Sequence, residues 1–365
     1  MKKVKLRGAV VGCGVIATDS HMPAWRRMKH VEIVSVCDQR DNIAKESARR
    51  WGITGVYNDF SQMLQSEKLD FVDICTPPAT HSPLSIQAME AGLHVLVEKP
   101  MATLLSEADR MISASKKYGV KLCVVHNCLF TPVVHAAKSM VEAGAIGDML
   151  AVEVHDLHPA YKVLKRENHW SYDLPGGILG EHAPHMVYLE SAFLGKINSV
   201  QAIARKESKS PRVTADELKV LVEAENGIGA CTNSCNSNKF SLTLDIFGTE
   251  GKLHLDIVTQ TMTRVRSRSN RTHGLVLSQL DLALQMLAGA ASVSVNSLLG
   301  QKWYKIGHRA IIQKFIESVQ YNLKPPVTGE DGRETVRILE EIWKQIGQPK
   351  GSVVKKVAGA IGHES

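Results

Sequence analysis

The chain has 365 residues, 44% hydrophobic and 22% charged, with a formal net charge of +7. That describes an ordinary globular protein of about two domains with ample material for a core. The positive charge is spread along the chain. Its one cluster, Arg264, Arg266 and Arg268 with Arg271 beyond, alternates as on one strand face and lacks the interleaved aromatics of a nucleic-acid site. The seven cysteines are odd in number, lie mostly in apolar runs and form no Cys-x-x-Cys pair, so they read as buried reduced thiols. The start, Met1-Lys2-Lys3-Val4-Lys5, lacks a signal-peptide core. The apolar stretch Leu275–Leu299 contains Gln279, Asp281, Gln285 and Asn296, and reads as a buried or amphipathic helix, not a membrane span. A cytoplasmic protein with no nucleic-acid or membrane partner is expected.

In chain order, Val4–Val11 is the first predicted strand, and it runs into Gly12-Cys13-Gly14-Val15-Ile16-Ala17. This is a G-x-G-x-x-A variant of the dinucleotide-binding turn. Gly12 permits the tight turn, Gly14 lets backbone amides approach a pyrophosphate, and Ala17 keeps helix and strand close. Val15 and Ile16 open the helix whose N-terminus favours an anion. Asp38 ends the next strand, Val31–Cys37, where a carboxylate meets a ribose 2′-hydroxyl. That carboxylate would repel a 2′-phosphate, which favours NAD; Arg40, two residues on, leaves NADP open.

Short runs follow near Val56-Tyr57 and at Phe71–Cys75, His94–Val97 and Lys121–Val125, separated by helical segments such as Asn42–Trp51. The alternation predicts a doubly wound parallel sheet, hence an α/β class with a Rossmann domain at residues 1–125. Cys75-Thr76-Pro77-Pro78 closes the fourth strand, placing Thr76 and Pro77 against the nicotinamide half of a dinucleotide. His81 either caps the next helix or touches the ligand. Glu98-Lys99-Pro100 closes the fifth strand, so Lys99 points to the cofactor cleft at the carboxyl ends, with a Lys99–Pro100 peptide that is a candidate for the cis form.

Beyond residue 125 the character changes. A helix starts at Thr131-Pro132, a strand is predicted at Met149–Val154, and a loop rich in His, Pro and Trp follows. A helix near Ala183–Leu194 precedes extended runs at Ser199–Ala204, Leu218–Glu223, Gly229–Thr232, Leu242–Phe247 and Lys252–Ile257, then helices Arg309–Gln320 and Glu334–Gln345. Strands in series predict an α+β domain at residues 126–365, built on a mostly antiparallel sheet. Within Gly176–His185, Glu181 and His185 stand four apart, on one face if helical, with Pro184 expected to start or kink the helix. His155, His158, His169, His182 and His185, with Asp156 and Glu181, are metal-ligand types. Their spacing matches no standard site, and no metal is expected. Trp170 reads equally as a sugar-stacking or a core indole.

Together, the glycine turn, Glu98-Lys99-Pro100, the Gly176–His185 segment and Thr328-Gly329-Glu330-Asp331-Gly332-Arg333 resemble the Gfo/Idh/MocA oxidoreductases over nearly the whole chain. The resemblance implies a Rossmann domain followed by an open-faced sheet, with substrate between them. It implies NAD(P)-dependent oxidation of a secondary hydroxyl of a sugar, cyclitol or related polyol, or reduction of the ketone. The family's lysine matches Lys99 and its histidine His185; the usual aspartate is Glu181. Asn127 matches a position that contacts the cofactor, but Cys128-Leu129-Phe130 replaces the aromatic and basic residues that often follow. Catalysis is thus expected from Lys99, His185 and Glu181. Cofactor contacts are expected from the glycine turn, Asp38, Thr76, Pro77, His81, Glu98, Lys99 and Asn127. Substrate contacts are expected from Lys99, Trp170, Glu181, His182 and His185. A homodimer or homotetramer is implied. Two alternatives stay open: a lyase or glycosidase working through transient oxidation, and a non-catalytic dinucleotide-binding regulator.

Overall fold

The structure, a computed structural model, describes residues 5–159, 169–266, 272–298 and 303–347. Its first sheet is built from β1 (Leu6–Val11), β2 (Val31–Cys37), β3 (Gly55–Tyr57), β4 (Phe71–Ile74), β5 (His94–Val97) and β6 (Leu122–Val124), all parallel, in the order β3-β2-β1-β4-β5-β6. The order reverses at β1, so the crevice for a ligand opens at the carboxyl ends of β1 and β4. Helices α1 (Met22–Trp25), α2 (Asp41–Trp51), α3 (Phe60–Ser66), α4 (His81–Glu90) and α5 (Leu105–Tyr118) make the crossovers. Strands β4, β5 and β6 are buried and largely apolar, which is why their positions are legible in the sequence. A π-helical turn, Ala17–His21, leads into α1.

The second sheet has seven strands: β7 (Met149–Pro159), β8 (Ile197–Arg205), β9 (Glu217–Ala224), β10 (Gly227–Ser237), β11 (Ser241–Gly248), β12 (Gly251–Asp256) and β13 (Thr261–Arg266). Their order is β13-β12-β11-β7-β10-β9-β8, antiparallel throughout except for the parallel β7–β10 pair. One face, which includes Val220 and Val222, packs on α6 (Pro132–Glu142) and α7 (Leu179–Leu194); on the other, Ile203, Leu221 and Ile228 are exposed. All seven cysteines are free and buried.

Three sequence expectations need correction. Strand β7 runs five residues past Val154, so His155, Asp156 and His158 lie on a strand and not in a loop. Asp156 and His158 take inward positions in the same alternation as Val152 and Val154; being polar, they hid it. Helix α7 begins at Leu179 and runs through Pro184, whose missing N–H falls in its second turn. Of the two expectations for the apolar stretch after β13, buried or amphipathic, the first fails: it forms helix α8 (Thr272–Leu298), in which Leu280, Leu284 and Leu287 are each more than half exposed. Arg264 and Arg266 end β13, while Arg268 and Arg271 lie outside the described residues.

The last helices are α9 (Trp303–Gln320) and α10 (Gly329–Ile346). Ile311, Ile312, Phe315 and Ile316 of α9 sit in the first core, while Ile338, Leu339, Ile342 and Trp343 of α10 join the second. Thr328 and Asp331 form a capping box at the start of α10, each side chain accepting the other's backbone N–H, at 3.2 and 2.8 Å.

Candidate active site

At the first strand end, Gly12 has φ +88°, and a Cβ there would lie 2.7 Å from the Thr76 amide nitrogen, so only glycine fits between β1 and the end of β4. At Gly14 the opposite holds: a Cβ would meet nothing within 4 Å, and Val15 beside it is 79% exposed. The turn therefore faces open space at the start of a helix, the setting a pyrophosphate needs. Asp38 sits where the ribose is expected. Its carboxylate accepts the Cys13 N–H at 2.9 Å and holds the Arg40 guanidinium through Nε and Nη2, both at 3.0 Å. Burial pushes the Asp38 carboxyl up, but the bonds from Arg40 and Cys13 outweigh it and keep its pKa below the ordinary value.

Thr76 is half-buried and Pro77 exposed at the end of β4, as a cofactor contact requires. His81 is placed differently: it is fully buried, with Nδ1 2.8 Å from the Pro100 carbonyl and Nε2 2.8 Å from the Thr76 carbonyl. It neither caps α4 nor faces the cleft; it ties two strand-end loops together from below. Lys99–Pro100 is a cis peptide bond.

Glu98 also turns inward. Its Oε2 accepts the Lys99 N–H at 3.0 Å, and its Oε1 lies 2.9 Å from His21 Nε2 and 3.3 Å from His308 Nε2. His21 Nδ1 lies 2.8 Å from Asp73, which also accepts the Trp25 indole N–H at 2.6 Å. A fully buried imidazole thus spans two carboxylates. Burial alone would push His21 down, but the Asp73 charge and hydrogen bond carry it well above the ordinary value. Burial would push Glu98 up, but His21 and His308 hold it well below. The sequence reading missed all four of His21, Asp73, Trp25 and His308.

Across the cleft, Lys99 Nζ donates to the Glu181 carbonyl at 2.7 Å, one turn of α7 before His185. Burial first, and the Lys99 charge second, hold His185 well below the ordinary imidazole range, so it is neutral at neutral pH. Its Nδ1 lies 2.5 Å from the Tyr188 hydroxyl, which is 3.4 Å from the Cys128 N–H and 3.5 Å from Asn127 Oδ1. His126 stacks on the Tyr188 ring at 4.3 Å and is itself pushed down to about 4 by burial. Asn127 is 3% exposed, so its side chain serves this chain of hydrogen bonds and does not project into the cleft. Tyr188 was missed too, although its place three residues after His185 on a helix was a usable signal.

Glu181 Oε2 lies 3.9 Å from His182 Nε2, and the His182 ring stacks on His158 at 3.5 Å; His158 Nε2 is 2.7 Å from Asp156. Asp156, His158 and His182 bring ligand atoms within 4.8 Å of one another. Imidazole lone pairs lie in the ring plane, however, and rings stacked with a 24° tilt aim them past each other and not at one ion. His155 faces away from this group on β7, 3.8 Å from Glu153. The Trp170 ring contacts His169, which bonds Ser171.

The family's pattern for an oxidoreductase with an NAD-binding Rossmann fold matches residues 6–126, and the Gfo/Idh/MocA C-terminal domain pattern matches residues 134–254. The chain belongs to the Gfo/Idh/MocA family. Its first domain is therefore an NAD-binding Rossmann domain. Curated relatives include myo-inositol 2-dehydrogenase of Thermotoga maritima, 24% identical over 97% of this chain and all of that one. D-apiose dehydrogenase of Paraburkholderia graminis is 28% identical over 69% of this chain and 68% of that one. Among solved structures, the WlbA dehydrogenase of Bordetella pertussis with NADH and UDP-GlcNAcA matches with a TM-score of 0.78. It is 21% identical and covers 94% of this chain and 96% of its own.

Proposed function

We propose that this chain is an NAD(H)-dependent dehydrogenase acting on a secondary hydroxyl, or the matching ketone, of a sugar, cyclitol or related polyol. The carrying observation is the 2.7 Å bond from Lys99 Nζ to the Glu181 carbonyl, which fixes an ammonium beside the helix that carries His185. The relatives named as sugar and cyclitol dehydrogenases support the substrate class. The open turn at Gly14, with Val15 and Ile16 beyond it, and the inward Asp38 fit a dinucleotide.

A bound nicotinamide supplies a ring carbon that accepts or returns the substrate's hydrogen with its electron pair. The protein's part is proton and charge management. We assign the His185 proton to Nδ1, donating to Tyr188, whose own proton goes to Asn127 Oδ1; the Nε2 lone pair then faces the cleft. Neutral at working pH, Nε2 takes the hydroxyl proton as the C–H bond breaks, a contribution of ~10² to 10⁴-fold. Lys99 keeps N–H groups beyond the one on Glu181 and stabilises the negative charge growing on that oxygen. Glu181 and His182 bind neighbouring hydroxyls, and Trp170 offers an aromatic face to the substrate. Asp38 selects NAD(H) over NADP(H). We take residues 1–125 as the cofactor domain and 126–365 as the substrate and oligomerisation domain of a cytoplasmic homo-oligomer. Its free sheet face, with Ile203, Leu221 and Ile228, supports the subunit contact.

The test is a panel of sugars and cyclitols followed by reduced-nicotinamide absorbance, with Lys99→Ala and His185→Ala beside the wild type. Turnover on the best substrate should fall by ~10²-fold or more in each variant, with NAD affinity kept within a few-fold. Wild-type turnover in either would remove that residue from the chemistry.

A further inference from the structure

Helix α8 is amphipathic the wrong way round for a single chain. The residues it turns toward its own domain are Gly274, Ser278, Asp281, Leu282, Gln285, Gly289 and Val293, mostly small or polar. Gln285 completes the free edge of β13: its Oε1 accepts the Arg264 N–H at 2.7 Å and its Nε2 donates to the Arg264 carbonyl at 3.0 Å. The outward surface carries Leu, Val and Met among Ala, Ser and Gln279, with Leu284 67%, Met286 62% and Leu287 68% exposed. A contiguous apolar surface of this kind marks an interaction site, not an ordinary solvated face.

Two candidate covers can be weighed directly. The segment Gly274–Val295 is long and apolar enough to cross a membrane. But β13 before it lies in the second sheet, and α9 after it packs Ile311, Ile312, Phe315 and Ile316 into the first core, which is joined to the second domain by the Lys99–Glu181 bond. A single crossing would put those two anchors on opposite sides of a bilayer. A helix lying in a lipid surface would carry basic residues along its polar face, and Thr272–Leu298 has no Lys or Arg at all. A second copy of the same chain meets neither objection. A 27-residue helix is about 40 Å long, and one apolar side of it approaches the roughly 800 Å² per partner that a stable interface buries. Twofold symmetry lets one self-complementary surface serve both subunits. The helix lines the β13 edge of the sheet whose free face exposes Ile203, Leu221 and Ile228 toward its other edge, on β8, β9 and β10.

We propose that the outer face of α8 is a subunit contact, covered by a second copy of this chain. The proposal refines the homo-oligomer reading above by naming the element, and it is independent of the catalytic assignment. Light scattering on the full-length protein tests it, comparing wild type with Leu280→Glu/Leu284→Glu/Leu287→Glu and, separately, with Leu221→Lys on the sheet face. The expected result is a wild-type mass of two or more 40.0 kDa chains that falls by half or more in the α8 variant, with unchanged circular dichroism and NAD affinity. An unchanged mass in the α8 variant, with dissociation by Leu221→Lys, overturns the α8 contact and leaves the oligomer standing. A monomeric wild type overturns both. So does co-sedimentation of a monomer with phosphatidylcholine–phosphatidylglycerol vesicles, which would make the cover a lipid surface. Dissociation on ending the chain at Gly347, with none in the α8 variant, gives the contact to residues 348–365 and overturns the proposal. A variant with one added surface cysteine, Leu284→Cys, beside the seven buried native ones, that forms an intersubunit disulfide under mild oxidation supports it independently of whether the triple variant folds.

Discussion

His21 and His185 both reach Lys99 through one intermediary, His21 by way of Glu98 and His185 by way of the Glu181 carbonyl helix, yet their surroundings drive them in opposite directions. His21 lies between two carboxylates, and the charge and hydrogen bond of Asp73 overcome burial and keep it an imidazolium. Among the described residues no carboxylate bonds the His185 ring in that way; burial and the Lys99 ammonium together keep it neutral. The same side chain is thus a structural cation below the cleft and, in the chemistry proposed here, the proton acceptor within it. Neighbouring charge, not depth, decides which.

The harshest way to break this contrast is Asp73→Asn, which removes one partner of a buried ion pair. A loss of roughly 3–5 kcal/mol in urea unfolding is expected. The sign with pH follows from both partners. His21 is raised, so its contribution is full below the ordinary 6.5 and is lost as pH climbs through its folded-state value. Glu98 is lowered, so its contribution holds above the ordinary 4.5 and is lost as pH falls through its folded-state value. The penalty of the variant should therefore be largest between those two ranges and shrink on the alkaline side. An equal penalty at every pH would mean that His21 carries no charge.

Tyr188→Phe sharpens the other half. Without the hydroxyl, only the Cys128 sulfur at 3.5 Å remains at Nδ1 to hold the tautomer, and turnover should fall about tenfold. Because burial and Lys99 depress His185, the acid limb of the pH–rate profile should stay below the ordinary imidazole range in wild type and variant alike. A limb that moves up in the variant would assign the depression to Tyr188 instead.

Cofactor choice tests the strand-end carboxylate in the same spirit. Asp38→Ser frees Arg40 from its two 3.0 Å bonds and removes the charge that repels a 2′-phosphate. The NADP(H) to NAD(H) affinity ratio should rise by about tenfold, roughly 1.4 kcal/mol. Tighter NADP(H) binding by the wild type would reverse the assignment.

The smallest effect belongs to Glu190, a buried carboxyl on α7 that has, among the described residues, no ion-pair partner such as His21 enjoys. Burial pushes it up to about 8, so the folded state holds its proton while the unfolded state releases it above 4.5. Stability should fall as pH rises from 4.5 to about 8 and then level off. Glu190→Gln should erase that slope and raise Tm by a few degrees near pH 8. An unaltered slope would place the proton elsewhere.

What the sequence revealed of this site divides along the same line. Gly12, Gly14, Asp38 and Glu98-Lys99-Pro100 stand at turns and strand ends, whose geometry is dictated by a few adjacent residues. His21, Asp73 and His308 acquire meaning only through partners 52, 77 and 210 positions away, and no local pattern carries that information. Asp156 and His158 were legible as chemistry but not as strand, because inward polar residues break the alternation that announces one. The 27-residue α8 was legible as a helix, but which of its sides faces the protein depended on Gln285 meeting the β13 backbone.

The most direct examination of the central claim is a crystal structure with NAD and the best-turned-over polyol, in which the contacts of the reacting hydroxyl oxygen are measured. The account predicts Lys99 Nζ and His185 Nε2 both within hydrogen-bond reach of that oxygen, with the nicotinamide ring against the carbon that bears it. A substrate oxygen bound away from both groups, or a dinucleotide that does not seat against the Gly12–Gly14 turn, would contradict it.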